Sequence, residues 1–105
     1  MDNFGQNIRN LRESRKLLLR QVAAAIKMDQ ALLSKIERGE RIATKKQVIA
    51  LANFFEIDER DLLTLWLGEK IAYEIKDEDI ANEALKVAEE AIHYLRTPKN
   101  KPTYV

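Results

Sequence analysis

Apolar residues recur at helical spacing along nearly the whole chain, and these stripes predict six helices. The first is indicated by Phe4, Ile8 and Leu11, and the second by a short run around Ala23. No segment of any length alternates between apolar and polar residues, so the predicted fold class is all-α. The predicted helices span, in order, about residues 3–16, 22–27, 30–38, 44–55, 58–76 and 77–96.

The stretch from Asp29 to Gly39 predicts a short, well-bounded amphipathic helix. Asp29 is a good N-cap and Gly39 is a good C-terminal stop. Leu33 and Ile36 lie three positions apart, so both face the same side of the helix. The opposite side carries amide, hydroxyl and cationic groups, which pair with base edges and phosphates, and this predicts a DNA-reading helix. These outward residues are Gln30, Ala31, Ser34, Lys35 and Arg38.

The second half of the chain is predicted to contain three further helices. Thr44 with Gln47 is a capping box, and Asp58 is an N-cap with acidic residues after it. The fifth helix is expected to continue through Gly68, because its apolar stripe keeps phase there. The predicted stripe is Leu63, Leu67, Ile71 and Ile75, and the aromatic residues expected to pack rather than stack on bases are Trp66, Tyr73 and Tyr94.

The last predicted helix begins at Asp77 and carries an apolar face that is too wide to remain exposed in water. We expect this face to pack against a second copy of the chain. Packing on the same chain's own helices remains an alternative, and both hold if the helix exchanges between chains. The predicted dimer-interface residues are Ile80, Ala84, Val87, Ala88, Ala91, Ile92 and Leu95. Pro98 ends the helix, and residues 98–105 predict a disordered tail.

The distribution of charged residues along the chain says more about possible partners than the net charge of +1 does. Residues 1–47 contain 11 Lys/Arg and 5 Asp/Glu, whereas residues 48–97 contain 5 and 12, so a basic half that suits a polyanion adjoins an acidic half. With no cysteine and only His93, we expect no metal site, no cofactor and no catalytic residues. The sequence has no apolar run long enough to predict a membrane span, and no small-molecule ligand is evident. We therefore expect a cytoplasmic protein that is not an enzyme.

The spacing from Ala23 to Leu33 and Ile36 is that of a helix-turn-helix, in which a small residue lets two helices cross and an apolar pair holds the second on the first. Here the sequence resembles the phage-repressor-like Xre family of transcriptional regulators. The resemblance rests on the run Ser34-Lys35-Ile36-Glu37-Arg38-Gly39 and on Ile8-Arg9-Asn10-Leu11-Arg12-Glu13. It covers roughly residues 4–66.

The resemblance implies a five-helix DNA-binding domain over residues 1–67. The apolar face of the last helix then predicts a C-terminal helical dimerisation extension over 68–97, followed by the tail over 98–105. It makes Asp29, Gln30, Ala31, Ser34 and Lys35 the base-reading positions, with double-stranded DNA as the partner. It also makes Arg38, Arg41 and Lys45 backbone contacts, with Arg20 or Gln21 holding a phosphate at the start of the second helix.

Arg12 and Glu37 match a family ion pair that joins the first helix to the reading helix. In the alternative, Arg12 contacts phosphate directly. Two residues depart from the family pattern. Lys27 stands where the turn often has glycine and would need a positive φ or another turn shape, and Leu19 replaces a glutamine that often holds phosphate.

The function predicted from these features is a sequence-specific transcriptional regulator, a repressor that binds an inverted-repeat operator as a homodimer. Three roles fit: a phage-type repressor, a controller of a restriction-modification operon and a toxin-antitoxin regulator. The alternative is a protein-interaction module, such as the antitoxin or anti-repressor of a two-protein system, whose acidic helices bind the partner.

Overall fold

The computed structural model describes residues 3–98 and contains six α-helices in that range, with no strand among the described residues. The all-α fold class and its helix-turn-helix are confirmed. The helices are α1 (Phe4–Ser14), α2 (Leu19–Ala25), α3 (Gln30–Glu37), α4 (Lys45–Phe55), α5 (Glu59–Ile75) and α6 (Ala81–Leu95).

Side-chain caps define where most of these helices begin. The Asn3 side chain accepts a hydrogen bond from the Gln6 amide at 2.8 Å at the start of α1. Thr44 and Gln47 form the predicted reciprocal capping box of α4. Asp58 accepts from the Asp61 amide at 2.9 Å, as predicted for α5. These caps satisfy amide groups that have no partner within their own helix.

Left-handed residues end several of the helices. Gly39 follows α3 with φ +77°, a conformation that costs glycine little. Lys16, Lys27 and Glu56 adopt φ of 55–56° although they carry side chains, and they follow or end α1, α2 and α4. The positive φ predicted as one possibility for Lys27 is therefore present.

The chain divides into two compact units, with the boundary between Ala72 and Tyr73. The first unit contains α1 to α4, most of α5 and the whole buried hydrophobic core. In α4, the apolar residues Val48, Leu51, Ala52 and Phe55 recur at helical spacing, and all four are fully buried. The core residues are Phe4, Ile8, Val22, Ala23, Leu33, Ile36, Ala43, Val48, Leu51, Ala52, Phe55, Leu62 and Trp66.

The buried face of α5 differs from the predicted one. Leu62 and Trp66 enter the core, whereas Leu67 and Ile71 of the predicted stripe are 49% and 43% exposed. Trp66 is held there by a hydrogen bond from its indole Nε1 to the carbonyl oxygen of Ala43, at 2.7 Å. This bond satisfies the polar group of a buried tryptophan, which favours that face of the helix. The predicted continuity of α5 through Gly68 is confirmed.

The second unit contains the end of α5 and the whole of α6. The predicted start at Asp77 is wrong, because α6 begins at Ala81. Two tight turns precede it, and each is closed by a hydrogen bond. The Glu78 amide donates to the Ile75 carbonyl at 3.0 Å, and the Ala81 amide donates to the Glu78 carbonyl at 3.1 Å. Apart from Pro98, the predicted disordered tail lies outside the described residues. No helix within residues 3–98 is both long enough and apolar enough to cross a membrane.

Candidate nucleic-acid interface

The start of α3 is fixed by Asp29. Its Oδ1 accepts hydrogen bonds from the Ala31 amide at 2.7 Å and the Leu32 amide at 3.3 Å. The N-cap role predicted for Asp29 is thus confirmed. One oxygen of its carboxylate is already engaged at the helix start, and this limits how Asp29 can also meet a base.

The inner face of α3 is anchored in the core. Leu33 and Ile36 are at most 1% exposed, and they belong to the same buried cluster as Val22 and Ala23 of α2. The turn between the two helices is closed by the Met28 amide, which donates to the Ala23 carbonyl at 2.8 Å. The predicted inner face is confirmed, and α3 is attached rigidly to the protein through it.

The outer face of α3 holds the predicted base-reading side chains. Gln30, Ala31 and Lys35 are exposed and Ser34 is partly buried, at positions that share one side of a helix. Within residues 3–98, the side chains of Gln30 and Lys35 make no hydrogen bond or ion pair. Their amide and ammonium groups are therefore free to pair with an external acceptor or donor.

The residues predicted to contact the DNA backbone differ in their surroundings. Arg20, Arg41 and Lys45 are exposed. Gln21 accepts the Leu18 amide on its Oε1 at 2.7 Å, so it caps α2 and keeps only its amide NH2 group for another partner. Arg38 pairs with Glu40 at 2.9 Å, and both side chains are more than half exposed. Such an exposed pair is weak, so a phosphate can replace Glu40 at little cost.

Arg12 and Glu37 form the predicted ion pair between α1 and α3. Arg12 Nε and Nη2 donate to the two carboxylate oxygens of Glu37 at 2.8 and 3.0 Å, with side chains 12% and 4% exposed. Arg12 Nη1 also donates to the Leu17 carbonyl at 2.9 Å. The hydrogen bond to Glu37 is the main reason that the pKa of Arg12 is raised above its usual value, and burial opposes it. These contacts occupy the guanidinium within the protein and leave the alternative of a phosphate contact without support.

Two contacts of the first turn of α1 were not predicted from the sequence. A β-carbon on Gly5 would lie 2.7 Å from the Glu37 carbonyl oxygen, so α1 meets the backbone at the end of α3 directly. The Phe4 amide donates to Glu69 Oε2 at 2.6 Å, which brings a carboxylate of α5 to the start of α1. A glycine in the first turn of a helix is the only sequence signal for the first contact. Glu69 carries no signal, because its partner is 65 positions away.

Six of the predicted dimer-interface residues lie on α6 and the seventh, Ile80, is its N-cap, and all of them are exposed. Val87 is 66% exposed and Ile92 is 48% exposed. Leu85, which was not predicted, is 39% exposed and extends this face. Ala81, Leu85, Ala88, Ile92 and Leu95 are separated by four, three, four and three residues, which is the spacing of a coiled-coil seam.

Comparison with known proteins agrees with this geometry. A family model described as helix-turn-helix (HTH_3) matches residues 8–62, which include the whole of α2 and α3. Among solved structures, the chain is similar to the restriction-modification controller protein C.AhdI from Aeromonas hydrophila, with 30% identity and a TM-score of 0.53. That similarity covers 56% of this chain and 89% of the controller. A search of curated proteins found no match.

Proposed function

The chain belongs to the Xre-like helix-turn-helix family of DNA-binding transcriptional regulators, and we propose that it is a homodimeric repressor that reads an inverted-repeat operator. The observation that carries this proposal is the outer face of α3. Its free amide and ammonium groups, on Gln30 and Lys35, stand on a helix whose other side is buried in the core. A side chain must be held rigidly in this way to distinguish one base from another.

The assignment of residues follows from that face. Gln30 is the first choice for an adenine, because its amide can donate and accept at the same base edge, and Lys35 donates to guanine. Ala31 and Ser34 have small side chains, which allow the helix to approach the base edges closely between Gln30 and Lys35. Asp29 lies at the end of the helix nearest the first bases. Arg38, Arg41 and Lys45 bind phosphates beside them, with Arg20 and the remaining amide donors of Gln21 at the start of α2.

Among the regulatory roles that fit, the similarity to a restriction-modification controller favours that of a controller. The family match covers residues 8–62, which include α3, and α6 lies outside that match and is explained separately. Control of a restriction-modification operon in the cytoplasm is therefore the biological role that we propose.

Dimerisation through α6 explains its exposed apolar face. A single short helix in the major groove makes few base contacts, and repressor-type readers gain affinity by binding two half-sites roughly 34 Å apart. The seam that includes Leu85, Ala88 and Ile92 has the spacing with which two helices pack along their length. Its alanines allow the two backbones to approach closely. We assign residues 68–97 to this dimerisation extension and residues 1–67 to DNA binding.

Selection of bound sequences from a random duplex pool, with the full chain as bait, tests the proposal. We expect a motif of two half-sites in inverted orientation, with centres about 10 base pairs apart. A motif with one half-site contradicts the dimer and leaves DNA reading intact. No enrichment contradicts DNA reading itself. A promoter reporter that carries the recovered motif should lose expression when the protein is present, whereas increased expression contradicts the repressor role.

Sedimentation of matched α6 variants tests the dimer independently of DNA. Ile92→Glu places a charge on the apolar face, whereas Lys86→Gln changes the net charge by the same amount on the opposite side of the helix. We expect the wild type and Lys86→Gln to be dimers and Ile92→Glu to be a monomer. A monomeric wild type favours the protein-interaction module, whose partner would cover the same face.

A further inference from the structure

The loop that directly follows the proposed DNA-reading helix α3 presents an exposed aliphatic side chain. Ile42 is 52% exposed, although Ala43 beside it is buried in the core. It is the only large apolar residue between α3 and α4, since the remainder of that described loop is polar or small. Exposed aliphatic side chains are common on protein surfaces, so the surroundings of Ile42 must carry the argument.

The first of these surroundings is the way the loop is held. On the α3 side, the Glu40 amide donates to the Lys35 carbonyl at 2.9 Å and the Gly39 amide to the Ile36 carbonyl at 3.1 Å. On the other side, the carbonyl of Ala43 accepts the Trp66 indole N–H at 2.7 Å. Only Arg41 and Ile42 lie between these anchored positions, so the Ile42 side chain is displayed from a fixed backbone.

The second feature of the surroundings of Ile42 is the positive charge of its neighbours in the sequence. Ile42 follows Arg41 directly and precedes Lys45 and Lys46, and all three cations are exposed. Cations that approach a duplex bind phosphates, and an aliphatic group carried among them is brought to the sugar and base edges between those phosphates. The branched β-carbon of isoleucine restricts its side chain, so little conformational entropy is lost when it is buried in a contact.

We propose that Ile42 is a DNA-contacting residue that packs against the apolar groups of the operator at the border of the site read by α3. Those groups are the deoxyribose carbons and the 5-methyl group of thymine. The inference rests on the proposed function, since it needs a duplex bound at α3. It adds a contact that makes no hydrogen bond and no ion pair, and so contributes affinity by removing apolar surface from water.

Binding to the selected operator, measured as a function of salt, tests this contact. Ile42→Ala and Ile42→Asn should weaken binding about threefold to tenfold, the effect of losing part of one buried aliphatic side chain. The slope of log K against log salt should not change, because no cation is lost. Arg41→Ala is the matched neighbour and should reduce that slope by about one. Ile42→Leu should restore most of the affinity.

Operators with deoxyuridine in place of thymidine separate the two apolar sources. If the wild type loses affinity on the uracil operator and Ile42→Ala loses none, the contact is with a thymine methyl and Ile42 contributes to specificity. If both proteins bind the two operators alike, the contact is with deoxyribose.

Three further results would overturn the inference or its premise. Wild-type affinity in both Ile42→Ala and Ile42→Asn overturns the contact and leaves the proposed function standing. A change in oligomeric state in these variants, with normal binding once dimers are formed, also overturns it, because Ile42 then belongs to a protein interface. Failure of the wild type to bind any duplex refutes the proposed function instead.

Discussion

Gly5 of α1 lies against Glu37 at the end of α3 so closely that a β-carbon on Gly5 would be 2.7 Å from the Glu37 carbonyl oxygen. It would be nearer still to the carbonyl oxygen of Ile36. Both obstacles are backbone atoms, which cannot move aside as the end of a long side chain can. The position of the proposed reading helix therefore depends in part on the absence of a side chain in α1.

Gly5→Ala should destabilise the protein by about 1–3 kcal/mol, because the added methyl group forces α1 and α3 apart. Helix propensity alone predicts the opposite sign, since alanine is the better helix former. Gly68→Ala is the control: its β-carbon would meet no atom within 4 Å, and it should stabilise α5 by up to about 1 kcal/mol. Urea denaturation of both variants, followed by the fluorescence of Trp66, measures the two effects. Equal stabilisation by both substitutions would show that the contact is absent.

The Arg12–Glu37 pair should behave as a buried ion pair. Removing one partner, as in Arg12→Met or Glu37→Met, leaves an uncompensated buried charge and should cost about 3–5 kcal/mol. The double variant leaves no charge and should recover much of that loss. Thermal and urea denaturation of the single and double variants give the coupling between the two residues.

The exposed pair of Arg38 and Glu40 is the control for that experiment. Both side chains are more than half exposed, so Arg38→Met should change stability by less than about 1 kcal/mol. A similarly small effect of Arg12→Met would contradict a buried role. If the double variant is stable but binds the operator poorly, the pair orients α3 for binding in addition to its effect on folding.

Local signals in the sequence predicted the parts of the fold that depend on neighbouring residues. The caps at Asp29, Thr44 and Asp58 and the stop at Gly39 are all present, because each satisfies or ends its own helix within four residues. The outer and inner faces of α3 follow for the same reason. The three large apolar residues of this eight-residue helix, Leu32, Leu33 and Ile36, lie on one side of it, so it has only one face to bury.

The choice of face on α5 could not be made in this way. Apolar residues occur on several sides of that helix, and its predicted stripe and the observed Leu62 and Trp66 have the same four-residue spacing. The observed face gains the bond from Trp66 to Ala43, a contact between residues 23 positions apart. Periodicity carries no information on such a contact. It also carries none on the contact between Glu69 of α5 and the first residue of α1. Tyr73 and Tyr94, expected to pack, are about half exposed.

Lys27→Gly should stabilise the protein although it removes a charged residue. Lys27 has φ 55°, and a left-handed conformation costs a residue with a β-carbon about 1–2 kcal/mol. The greater freedom of glycine in the unfolded chain offsets about 0.5–1 kcal/mol of that gain. Lys46→Gly is the matched control, since Lys46 is also exposed but lies in the first turn of α4 without a positive φ, and it should destabilise by up to about 1 kcal/mol. Destabilisation by both substitutions would mean that Lys27 bears no strain.

The outer face of α3 predicts two classes of DNA-binding variant. Gln30→Ala or Lys35→Ala should lose about 1–3 kcal/mol of discrimination against operators altered at the base that the residue reads. Their affinity for unrelated duplexes should change less, although Lys35→Ala also removes a cation. Arg41→Ala should weaken binding to every duplex alike, because a phosphate contact carries no sequence information.

Mobility-shift titrations on the selected operator, on operators altered one base pair at a time and on an unrelated duplex separate the two classes. Gln30→Ala gives the cleanest case, because it changes no charge and should leave the salt dependence of binding unaltered, whereas the loss of Arg41 should reduce that dependence. Discrimination at one base pair should disappear in Gln30→Ala and persist in Arg41→Ala. If Gln30→Ala and Lys35→Ala both retain wild-type discrimination at every base pair, then α3 is not the reading helix, and the rigid attachment of its inner face serves the fold alone.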